Sequence, residues 1–231
     1  RRDPAVRAAW PSRWFGNYST ARVRDMLGVG SPAAGMLLFE QSAFAFSCIM
    51  VGWLGSVPLA AHQIAISCAS LAFMIPLGLS MAAGMRVSHA VGAAHHDHVR
   101  AIGVGAIALG VMIMAVFALA FGIGGRRIAT WFVTDPAVIA LAAQLLVVAA
   151  LFQLVDGVQV IGAALLRGLM DVRVPALITL IAYWVIALPL GYAMGIRGPF
   201  GAVGVWSGIA SGLAVAAVFL ALRFVRLSSM R

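Results

Sequence analysis

The sequence predicts an all-α polytopic membrane protein, a bundle of six transmembrane helices, and three observations predict it. Of 231 residues, 63% are hydrophobic and 10% charged, where soluble domains carry roughly 25% charged residues. The mean hydropathy is +1.02. The apolar residues gather into six runs, each matching the about 20 residues a helix needs to cross the hydrocarbon of a bilayer.

In chain order, residues 1–28 open with RRDPAVRAAWPSRWFG, rich in arginine and without the apolar stretch of a cleavable signal. They read as a cytoplasmic linker belonging to a longer protein. The membrane region covers 29–226, with spans at about 29–53, 56–85, 101–124, 137–166, 174–196 and 201–222, and a cytoplasmic tail at 227–231. The connectors between them are short and carry turn residues. Pro32, Pro58, Pro136, Pro175 and Pro199 fall near expected helix starts, where a missing N–H is tolerated. Pro76 lies inside the second span and predicts a kink. In the last span Gly204, Gly208 and Gly212 recur every four residues, a small-residue face for close helix packing.

Charge orients the bundle. Six spans put both termini on one side, and thirteen of the sixteen arginines fall on that side, against Arg126, Arg127 and Arg197 on the other. The positive-inside rule then places both ends in the cytoplasm. The net charge of +9 therefore reports orientation and no nucleic-acid partner. The absence of lysine removes Walker A phosphate binding and Schiff-base chemistry. Cys48 and Cys68 sit in apolar runs and read as small buried residues, with no disulfide or metal role.

Only two acids lie inside the spans, Glu40 and Asp156. Glu40 is about 16 Å into its span at ~1.5 Å per residue, which is mid-bilayer. Ionising such a group in hydrocarbon costs several kcal/mol unless something compensates it (about, by transfer and insertion scales). Gln153, Asp156 and Gln159 recur every three residues and share one helix face, a carboxyl flanked by two amides. Two intramembrane acids on separate spans are candidates to share a proton or cation. Their alternative use is an interhelical hydrogen bond worth about 1 kcal/mol. His62 and Gln63, early in the second span, read either as helix-to-helix hydrogen bonding or as support for the cation. His95, His96, Asp97 and His98 are too closely consecutive to converge on one metal and read as a solvated loop.

Taken in order, GVGSPAAGMLLFEQSAF, AAHQIA, MRVSHAVGAA, FQLVDGVQVIGAALLRGLMDVRVP and AYWVIALPLGY resemble the multidrug and toxic compound extrusion transporters, in the C-terminal six-helix lobe of their NorM-like branch. The resemblance covers nearly the whole chain. It implies one lobe of a twelve-helix, ion-coupled antiporter that exports amphipathic, often cationic drugs and toxins by alternating access, with the N-terminal lobe as its partner. It implies no cofactor and no enzymatic activity. Carried over by position, the cation or proton site is Glu40 and Asp156, with Gln153, Gln159, His62 and Gln63 as supporting polar groups. Some sodium-coupled members have a tyrosine four residues before the aspartate. Here that position is Phe152, one oxygen donor fewer, which leaves the coupling ion as H+ or Na+.

Three other readings compete. A lipid-linked precursor flippase of the same superfamily would need a basic patch, and no arginine lies mid-span. An intramembrane hydrolase would have to pair Ser207 with His62, without the G-x-S-G elbow. A membrane subunit that does not transport is the third.

Overall fold

The computed structural model describes residues 19–229. Residues 1–18 of the expected linker and 230–231 of the expected tail lie outside the described residues. Six helices follow one another: α1 (Thr20–Gly52), α2 (Ser56–Gly92), α3 (His96–Thr130), α4 (Pro136–Gly168), α5 (Arg173–Arg197) and α6 (Gly201–Ser228). Each is long and apolar enough to span a membrane, and the short connections reverse the chain each time. Arg22, Arg24, Arg86, Arg100, Arg167, Arg173, Arg223 and Arg226 therefore gather at one end, the basic end, and Arg126, Arg127 and Arg197 at the other.

The helices outrun the expected spans. Residues 20–28, assigned above to the linker, are the first turns of α1, so Pro32 sits inside that helix and not at its start. The connector RVSHAVGAAHHDHVR is mostly helix too, reduced to a turn at 93–95. Hydropathy locates where a helix leaves hydrocarbon, whereas helical hydrogen bonding ends only at a residue that breaks it, and these polar segments contain few breakers. α2 remains helical through the buried Pro76.

The turns have local causes. Asp135 caps α4, its carboxylate accepting from the backbone N–H of Ala137 at 2.8 Å and of Val138 at 3.3 Å, with Pro136 as the first helical residue. α2 and α4 both end through a residue in the left-handed region, Ala94 (φ 58°) and Met170 (φ 63°). The N–H of His95 returns to the Ala90 carbonyl and that of Asp171 to the Leu166 carbonyl, each at 2.9 Å. Both are helix-ending motifs in which glycine is the usual occupant of the left-handed position.

α4 is the hub, packed on α2, α3 and α6, while α5 lies against α6 and α1. On α6, Gly204, Gly208 and Gly212 face α5, and a Cβ on Gly208 would overlap the backbone of Gly191. The four-residue glycine repeat is thus a packing face that brings two backbones together. Two apolar clusters form the interior. One holds Ala43, Ala72, Leu145, Phe152 and Leu213, and the other, nearer the basic end, holds Met36, Ala83, Val160, Leu220 and Phe224. On α1 the seam between them falls between 36 and 43, and on α4 between 152 and 160, so it carries Glu40, Gln153, Asp156 and Gln159.

Candidate functional site

α1 and α4 bring Glu40 and Asp156 to one cavity of about 120 Å³. Its wall is Glu40, Gln41 and Phe44 from α1, Ile66, Ala69, Ser70 and Phe73 from α2, and Phe152 and Asp156 from α4. At about 30 Å³ per water, it has room for an ion and a few waters. Drug-sized pockets span roughly 300–1,000 Å³, so this cavity is suited to an ion and too small for an organic substrate.

Asp156 is buried, at 4% exposure, and Glu40 half-buried. The two carboxyls lie within electrostatic range of each other, so a cation or proton between them relieves the repulsion of two charges in an apolar wall. Gln159, one turn from Asp156, is close enough to serve Glu40 as a hydrogen-bonding partner. Gln153, one turn the other way, is fully buried. Glu40, Asp156 and Gln159 are thus brought together, while neither Gln153 nor Gln159 lines the cavity itself.

His62 and Gln63 are not part of that group. His62 is buried near the other end of α2, and its Nδ1 accepts from the Trp206 indole N–H at 3.0 Å, a hydrogen bond from α6 to α2. That bond requires an unprotonated Nδ1. Gln63 points outward. Ser207, proposed by the hydrolase reading, donates to the Val203 carbonyl of its own helix at 2.8 Å, while His62 is held by Trp206. Among the described residues no three His, Cys, Asp or Glu side chains converge as a metal site.

Phe152 has a structural setting. His62, Trp206, Phe152, Phe44 and Tyr183 make a chain of rings contributed by five helices, with successive centroids 5.7, 6.1, 6.0 and 6.2 Å apart. Three of the four pairs are edge-to-face and that of Phe44 with Tyr183 is tilted; edge-to-face pairs add about 0.5–1.5 kcal/mol each beyond their buried area. The ring at 152 seals the cavity on the side away from the basic end.

Two groups were missed by sequence reasoning. Arg167, near the end of α4, lies within electrostatic range of Glu40, whereas its sequence position marks it only as an orientation charge. Tyr183 on α5 is fully buried, and its hydroxyl has no hydrogen-bonding partner among the described residues. It lies within electrostatic range of both Glu40 and Asp156. Its neighbour Trp184 donates from its indole N–H to the Phe39 carbonyl at 3.3 Å, tying α5 to α1 beside Glu40.

The MatE family profile matches residues 32–193. A probable multidrug resistance protein NorM of Mesorhizobium japonicum is 40% identical over 222 residues, covering 94% of this chain and 46% of the relative. The multidrug resistance protein NorM of Burkholderia vietnamiensis is 41% identical over 205 residues, covering 87% and 44%. The chain therefore spans about half the length of these curated relatives. Among solved structures, the Vibrio cholerae MATE transporter VcmN in its bent form superposes with a TM-score of 0.84 at 17% identity, covering 98% of this chain and 52% of that one. A eukaryotic MATE transporter, AtDTX14, gives 0.82 at 21% identity, covering 98% and 53%. At these identities the likeness shows the fold.

Proposed function

The chain belongs to the MatE family, and from that premise we propose that it forms the C-terminal six-helix lobe of a cation-coupled multidrug efflux antiporter. The single observation that carries the coupling role is the meeting of Glu40 and Asp156, from separate helices, in one ion-sized cavity. The multidrug resistance function for which the NorM relatives are named supports multidrug substrates, and the half-length match supports a partner lobe that completes the drug cavity. The arginine asymmetry supports both termini facing the cytoplasm, and the bacterial sources of the NorM relatives support an inner membrane.

The mechanism follows from the cost of charge in this setting. Without a cation the two carboxyls favour a state in which water reaches them. Entry of a proton or sodium ion from outside lowers the negative charge of the site and permits the lobes to rock toward the inward-open state. Paired lobes commonly support such rocking. Each monovalent charge moved across 100 mV supplies about 2.3 kcal/mol. Organic cations and the coupling ion then alternate, because loading the site reduces the charge and changes the conformation that retain the drug.

The test is ethidium efflux from vesicles holding a full-length NorM-type transporter that carries this lobe, driven by an imposed proton or sodium gradient. Glu40→Gln and Asp156→Asn should each cut gradient-driven efflux by at least tenfold. Undiminished efflux in both variants would end the carboxylate-site reading.

A further inference from the structure

A second cavity, of about 560 Å³, opens at the basic end of the bundle and shares no residue with the one that holds the acids. Arg24, Asp25 and Val29 of α1 line one side, and Asp171, Val172 and Arg173, from the α4–α5 turn and the start of α5, line the other. Its volume falls within the roughly 300–1,000 Å³ of small-molecule sites. Depth fixes its surroundings. The apolar runs of α1 and α5 begin at about residues 29 and 174, so the lining residues sit where the helices leave hydrocarbon, in the layer of lipid headgroups.

The fold uses only part of the charge there. Asp171 is committed to Arg223 of α6, whose Nε donates to its carboxylate at 2.5 Å. Arg24, Arg173 and Asp25 are exposed and form no ion pair among the described residues. No side chain caps the N-terminus of α5, which opens at Val172 and Arg173 in the same wall. Two guanidiniums and a free helix N-terminus suit a phosphodiester, and basic pockets between spans on the cytoplasmic side are where lipid headgroups bind. A phosphodiester alone leaves Asp25 unanswered, and an anionic lipid brings that acid a charge of its own sign. Toward the hydrocarbon, Leu177 and Ile181 follow Arg173 at four-residue steps along α5, exposed at 55% and 43%. They form an apolar track that starts at the cavity.

We propose that this cavity binds the headgroup of phosphatidylethanolamine, with the phosphodiester between Arg24 and Arg173, the ammonium against Asp25 and an acyl chain along Leu177 and Ile181. A primary ammonium brings three N–H donors and a positive charge, which answers the acid that a purely anionic headgroup would meet. The bound lipid joins α1 to the α4–α5 turn. The site depends on the membrane setting alone and is independent of the carboxylate reading above.

The experiment is native mass spectrometry of the purified chain, titrated with phosphatidylethanolamine, phosphatidylcholine and phosphatidylglycerol of one acyl composition, with a photoreactive phosphatidylethanolamine to locate the site. The wild-type chain should bind one phosphatidylethanolamine saturably and more tightly than either other lipid, with crosslinks on residues 24–29 and 170–181. Arg24→Gln and Arg173→Gln should each weaken that binding by about tenfold, the value of a lost charge-assisted contact. Asp25→Asn should bring phosphatidylglycerol level with phosphatidylethanolamine, a change of about fivefold. All three positions are exposed, so the thermal midpoint without added lipid should stay unchanged. Unaltered phosphatidylethanolamine affinity in both arginine variants, crosslinks that map elsewhere, or no saturable binding overturns the proposal. A wild-type preference for phosphatidylglycerol overturns it in favour of a general anionic-lipid site. The same titration on a full-length NorM-type transporter carrying this lobe should give the same single site; binding to the 231-residue chain that is lost there overturns it too, since the partner lobe then covers the cavity. None of these outcomes bears on Glu40 or Asp156.

Discussion

At the scale of single residues, the hydrogen bond between Trp206 and His62 separates structure from chemistry. Trp206→Phe removes the donor and leaves the buried Nδ1 unpaired, which should cost about 1–3 kcal/mol in a thermal unfolding series in detergent. The same variant should leave cation binding unchanged, since His62 lies outside the acid group. The acids and amides of that group were legible in the sequence because a charge or amide inside an apolar run is conspicuous and its helical spacing assigns a face. Tyr183 was not. An aromatic residue in YWVIALPLGY reads as interface or packing, and a π-helical turn departs from the 3.6-residue period by which faces are assigned. Arg167 was hidden differently, since an arginine near a span end is normally counted only for orientation. Nothing in sequence spacing shows that it lies within electrostatic range of Glu40.

At the scale of elements, the turn after α4 tests how the backbone ends its helices. Met170 is exposed and holds φ 63°, a conformation costing L-residues roughly 1–2 kcal/mol. Met170→Gly should therefore stabilise the fold by about 0.5–1 kcal/mol after the entropy that glycine adds to the unfolded chain. Conversely, Gly208→Val should force α5 away from α6, because even a Cβ there overlaps the Gly191 backbone. That displacement should lower the unfolding temperature measured in detergent. The existence and type of every helix followed from hydropathy. Their ends did not, because hydropathy stops at the edge of hydrocarbon while α1 and α2 continue through polar turns that still favour helix.

At the scale of the whole molecule, two apolar clusters meet at a polar seam, and the seam holds the ion-sized cavity. A cavity of about 120 Å³ and about half the length of the NorM relatives lead to a specific expectation. The 231-residue chain alone should bind the coupling ion but show no ethidium efflux, and robust efflux by the isolated chain in proteoliposomes would contradict the two-lobe account. The central claim is narrower: Glu40 and Asp156 hold one cation between them. A double-mutant cycle on cation affinity, using Glu40→Gln, Asp156→Asn and both together, tests it most directly. Residues sharing one ligand couple by about 0.5–3 kcal/mol, so the double variant should be little worse than the weaker single one. Losses that simply add would mean two independent groups and would contradict a shared site.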